Sequence, residues 1–185
     1  IVKDYFSAFE NGYKEASSEQ VTPSQVAQRD FLQHRLTSSK EAGDETTAKY
    51  VENRWRVLSD CFEVFSFQQQ GLESIKSDQR DMFLIEVSAK YILRITDHTI
   101  VSVFPHLVPN QQLVKKLVGK AIMVPAQINV SVEKSSRRIS QIDEKMDFAA
   151  GLAELLPDST ELSVAISGAF LTQDGVDFNR AAARA

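Results

Sequence analysis

Four side chains in this sequence could do chemistry together: Asp147, Glu144, Tyr91 and His106. A carboxylate becomes a useful general base when burial raises its pKa toward neutrality. A Tyr or His beside it can donate to an oxygen that gains charge. Such a set moves a proton next to a carbonyl, as a small-molecule isomerase, cyclase or dehydratase must. Each residue also has a plain structural role open to it. Tyr91 suits a core position with its hydroxyl on a backbone partner. Asp147 stands just before a helix expected near Ala149 and suits its N-cap. His106 follows Pro105 and suits a turn or helix end. Spacing does not choose between these roles, so Asp147, Tyr91 and His106 stand as candidates and no catalytic set is assigned.

Other chemistry finds less support. The three His, at 34, 98 and 106, have no metal-ligand spacing, and one Cys adds little to a zinc site. No cofactor is expected. The seven Gly are scattered singly, so no phosphate-cradling loop forms, and no Gly-x-Ser-x-Gly elbow appears. Cys61 lies among apolar helical positions and reads as a small core residue. It cannot form an intrachain disulfide, so nothing points to an oxidising compartment and an intracellular protein is expected. Net charge is −4, the wrong sign for gripping phosphates. The one dense basic run, Lys134 to Arg138, reads as a hairpin turn, so no direct nucleic-acid contact is expected. No apolar run approaches a membrane span, and no signal peptide is visible. The chain opens in helical pattern at Ile1 rather than at Met, so residues before it are expected.

The elements that must position these groups are clearer. Ile1, Tyr5, Phe9 and Tyr13 recur every four residues, predicting a helix over 1–16. Thr22-Pro23-Ser24-Gln25 is a capping-box start for a mostly polar helix to about Ser39. A polar loop from Ser38 to Thr47 follows. Val51, Trp55, Leu58, Phe62 and Phe65 mark one broad apolar helix face. Phe83, Ile85, Val87, Ala89, Tyr91, Leu93 and Ile95 hold seven successive odd positions against mostly polar even ones. A strand that long must twist and bend. A partner strand near Gly71–Ser77 and a turn at Asp78–Asp81 should precede it. Ile122 to Val132 repeats the alternation on even positions, with Pro125 marking an edge or bulge. A third long strand runs from Ile139 to Phe148. Thr96 or Asp97 and Asn110 cap two short helices, and Pro157-Asp158-Ser159 opens a closing one. The organisation is one α+β domain over 1–173, N-terminal helices packed in a curved antiparallel sheet, with a poorly ordered tail at 174–185.

That order resembles the cone-shaped nuclear transport factor 2-like superfamily over roughly residues 1–150. Three stretches carry a narrower likeness: Val2-Lys3-Asp4-Tyr5-Phe6-Ser7-Ala8-Phe9-Glu10-Asn11-Gly12-Tyr13; Thr96 to Val108, holding Val103-Phe104-Pro105-His106-Leu107; and Met146-Asp147-Phe148 followed by Gly151-Leu152-Ala153-Glu154-Leu155-Leu156. Together they resemble the domain C-terminal to the basic leucine zipper in oomycete transcription factors. This chain has no basic region and no Leu heptads. The resemblance implies a nuclear, non-catalytic regulatory domain. It would dimerise through the sheet face, where Leu84 and Ile92 interrupt a polar surface, or bind a small apolar ligand in the cone. Trp55, Tyr91, Leu93 and Asp147 would line that pocket. The alternative is the small-molecule enzyme outlined above.

Overall fold

The computed structural model describes residues 1–14, 21–37, 46–76 and 81–177. Most of the expected Ser38–Thr47 loop, the turn before Asp81 and the end of the expected tail lie outside them.

The first helix, α1, runs Val2–Phe9 and stops seven residues earlier than its periodicity suggests. Gly12 takes φ +76° there, a conformation that side chains with a Cβ rarely adopt. The second, α2 (Pro23–His34), starts at the expected box: Gln25 N–H donates to Thr22 Oγ1, and the Gln25 side chain accepts from Thr22 N–H. It does more than lie on the surface. Gln28 is buried, and its amide donates to the carbonyls of Ala8 and Gly12, tying α2 to the end of α1.

The third helix, α3 (Thr47–Cys61), buries Val51, Trp55, Leu58 and Cys61. Phe62 is buried just past its end. Phe65, expected on the same face, is not helical. It lies in β1 (Glu63–Lys76), at a register shift between Val64 and Ser66, and is 38% exposed. The bulge turns its ring outward beneath the Arg94 guanidinium, 4.2 Å from the ring centre.

Strands β1, β2 (Met82–Arg94), β3 (Ala121–Glu133) and β4 (Ile139–Met146) form one antiparallel sheet in the order β1-β2-β3-β4. β1 is twice the expected length. On β2, Val87, Ala89, Tyr91 and Leu93 are at most 4% exposed, but Phe83 is 39% exposed. The odd face is therefore core only over its second half. Pro125 was expected at an edge or bulge, yet it sits in register in the inner strand β3, opposite Lys90. Its carbonyl accepts from Asp147 N–H, so its missing donor faces the side where β4 has already ended. The position is edge-like on that side alone.

Between β2 and β3 lie α4 (Asp97–Val103), capped by Thr96, a single 3-10 turn (Pro105–Leu107), and α5 (Gln111–Leu117), capped by Asn110. After β4 come α6 (Phe148–Ala153) and α7 (Ser159–Ser167), capped by Asp158. The first part of the expected tail is ordered structure instead. Leu171–Thr172 (β5) and Gly175–Val176 (β6) form a small hairpin whose Val176 is 4% exposed. Among the described residues no helix is long and apolar enough to cross a membrane. The architecture is thus α+β, with helices held in the bend of a long antiparallel sheet.

Candidate functional site

The bend of the sheet closes around a dense aromatic cluster. Phe9 stacks on Trp55 with ring centres 4.9 Å apart, Phe67 stacks on Tyr91 at 4.5 Å, and Phe6 stacks on Phe67 at 4.2 Å. Tyr5 lies among them, and its hydroxyl accepts from Trp55 Nε1–H at 2.9 Å. Of the expected pocket residues, Trp55, Tyr91 and Leu93 belong to this core, and none exposes more than 1% of its surface. They pack against neighbours where a ligand was expected.

Asp147 is not brought to them. It is exposed and caps α6, its Oδ1 accepting from Ala150 N–H at 2.9 Å. His106 lies elsewhere again, its Nε2 2.9 Å from the Val164 carbonyl oxygen of α7. A carbonyl only accepts, so Nε2 carries the proton. The ring is packed against Gly168 so closely that a Cβ there would stand 2.5 Å from His106 Cγ. Asp147, Tyr91 and His106 thus engage three different neighbourhoods and do not converge on a shared point. Among the described residues no group of three or more His, Cys, Asp or Glu could hold a metal ion.

Glu144 is the carboxylate that points inward. The even positions of β4 alternate Ile142, Glu144, Met146 into the core, and Glu144 is 2% exposed. On α3, Arg54 falls on the buried stripe between Val51 and Trp55 and is 5% exposed. Arg54 Nη2 stands 3.1 Å from Glu144 Oε2. Burial raises the Glu144 pKa, and Arg54 and the Tyr91 hydroxyl offset only part of that rise. Burial opposes the Arg54 charge, but Glu144, then Tyr91 and Tyr5, hold it protonated. Burial also pushes both tyrosines upward, with Glu144 adding to it. Arg54 and Glu144 thus pair inside the core, with the Tyr91 hydroxyl beside the carboxylate. The sequence offered a signal for this pair. Each partner is an ionisable residue at an inward periodic position, and their signs are opposite.

The outer face of the sheet differs in kind. Along β2 the outward residues run Leu84, Glu86, Ser88, Lys90, Ile92. Leu84 and Ile92 are half-buried rather than fully exposed, because neighbouring strands crowd them. Gln127 on β3 donates to Glu86 at 2.7 Å and accepts from Ser88 at 3.3 Å. A groove crosses the face at this level, lined by Gln70, Ser88, Pro125, Gln127, Lys145 and Asp147. Gly71, paired with Ser88 just after a second register shift in β1, leaves the groove without a side chain there.

No protein-family model matches this chain, and no curated protein does. Two solved structures resemble it in fold: Candida albicans Mtr2, and C. albicans Mtr2 in complex with the Mex67 M domain. They are 11% and 12% identical to it, with a TM-score of 0.45 in each case. Each match covers 78% of this chain and 90% of the other.

Proposed function

We propose that this chain is a non-catalytic regulatory domain that pairs with a second copy of itself through the outer face of its sheet. The observation that carries this reading is the order of outward residues on β2. Read from Ser88 in both directions it is acid then apolar one way, base then apolar the other. Place a two-fold axis between two facing sheets so that it crosses β2 at Ser88. Glu86 of one copy then meets Lys90 of the other, and Leu84 meets Ile92. An isologous contact requires this kind of self-complementarity. Opposite charges so placed favour that register over a slipped one.

The filled interior supports the same reading, since the expected pocket residues Trp55, Tyr91 and Leu93 are occupied with one another. The catalytic alternative lacks a convergent set, because the carboxylate beside Tyr91 is sealed and paired to Arg54. The resemblance to the domain that follows the zipper in oomycete basic leucine zipper factors gives the pairing a context. A self-associating domain beside a zipper would reinforce its dimer, and a nuclear location belongs to that role. Sedimentation equilibrium tests the pairing. The chain should form a dimer, and Ile92→Asp should return it to a folded monomer. A wild-type chain that stays monomeric at high concentration would overturn the reading.

A further inference from the structure

Of the five Pro in this sequence, only Pro23 follows a Ser or Thr. A hydroxyl residue followed by Pro is what a proline-directed protein kinase accepts. The ring brings no N–H that the kinase cleft must satisfy, and it holds the residue before it extended. Thr22 has that form in the folded chain. Its backbone is extended, with φ −80° and ψ 156°, and Val21, Thr22 and Pro23 are all exposed. Its hydroxyl accepts from Gln25 N–H at 3.3 Å and donates to Gln25 Oε1 at 3.2 Å, both within the capping box. Ser140 makes a contrast. Arg137 and Arg138 precede it at a spacing that basophilic kinases read. Yet Ser140 is half-buried in β4, its hydroxyl donates to the Ser131 carbonyl, and its own carbonyl accepts from Thr47 Oγ1 at 2.8 Å. The fold therefore presents Thr22 and withholds Ser140.

Thr22 also borders room and positive charge. An open groove of about 640 Å³ lies beside it, lined in part by Asn11, Lys14, Ser24 and Glu63. Lys14 is exposed and, among the described residues, forms no ion pair. Glu63 is already matched to Arg94 at 3.3 Å. The first turn of α2 carries no acidic residue. A phosphate on Thr22 would meet a free cation here, and charge-assisted bonds of that kind order the segment that carries them.

We propose that Thr22 is a phosphorylation site for a proline-directed Ser/Thr kinase, and that its phosphate lodges in this groove against Lys14. In the transfer, Thr22 Oγ1 bonds to the γ-phosphorus of ATP and the bond from that phosphorus to its bridging oxygen breaks. ADP leaves, and the hydroxyl proton passes to the kinase's base. The phosphate oxygens then accept from Gln25 N–H in place of the hydroxyl. Because Gln28 ties α2 to the end of α1, the modification tightens that corner. None of the residues of the proposed pairing face takes part, so this inference stands apart from the pairing.

The whole native chain, incubated with ATP and in turn with a cyclin-dependent and a mitogen-activated protein kinase, tests it. Phosphopeptide mass spectrometry should place phosphate on Thr22, and Pro23→Ala should lose it. The phosphorylated chain should melt about 1–4 °C above the unmodified one, and Lys14→Gln should remove much of that gain. No phosphate on Thr22 of the folded chain would overturn the site, whether or not a peptide of the same sequence accepts it. A phosphorylated chain whose melting temperature is unchanged or lower would overturn the lodging against Lys14.

Discussion

The two faces of β2 are built from the same thirteen residues yet solve different problems. The inner face holds Val87, Ala89, Tyr91 and Leu93 against stacked aromatics, where a change of one methylene is felt. The outer face holds Glu86, Ser88, Lys90 and Ile92, where polar side chains bond to one another along the surface. The inner face fixes shape and leaves no occupant's place beside Tyr91. The outer face is free to encode a partner. The interior of the bend is spent on packing and on one sealed ion pair.

Several substitutions would break or sharpen that contrast. Trp55→Ala removes the side chain that meets Tyr5, Phe9, Phe67 and Tyr91. It should cost about 3–5 kcal/mol in denaturant unfolding. Glu144→Leu leaves the Arg54 charge buried and unpaired and should also cost about 3–5 kcal/mol, whereas combining it with Arg54→Met should recover most or all of that loss. A double variant as unstable as the single one would mean that the pair holds the core by more than its charge.

Glu144 also gives the inner face a pH signature. Burial raises its folded-state pKa above the ordinary value of 4.5. Between those two values the folded chain binds more protons than the unfolded one, so this group's contribution to stability falls as pH rises through the window. Wild-type stability relative to Glu144→Gln should therefore decline as pH rises above about 4.5. A flat difference would mean that Arg54 fully offsets the burial.

Smaller effects belong to the surface. Asp147→Ala should cost about 1 kcal/mol through the lost α6 cap, while Asp147→Asn, which caps as well, should be nearly neutral. Lys90→Glu should change monomer stability by no more than about 0.5 kcal/mol, since it lies on the outward side of β2.

Much of the fold was legible in the residues. The alternation on β2, β3 and β4 and the Thr22, Thr96 and Asn110 caps each follow from local physics that the tertiary structure did not override. Phe65 was misplaced because helical spacing at 51, 55, 58 and 62 continued by chance into β1. The length of β1 was missed because Gln68, Gln69 and Gln70 hide its alternation. The C-terminal hairpin was missed because its strands have two residues each, too few for any period to show. At the site, Asp147 had two readings in the sequence, and only the register of β4 resolves them. Arg54 escaped notice because the apolar residues around it define the stripe and a charge does not.

Sedimentation equilibrium of four chains tests the central claim most directly: wild type, Glu86→Lys, Lys90→Glu, and the double exchange. The pairing described here predicts a dimer for the wild type, weakened association for each single variant through like charges in contact, and a restored dimer for the double. Four chains with the same association state, whether all monomers or all dimers, would contradict it.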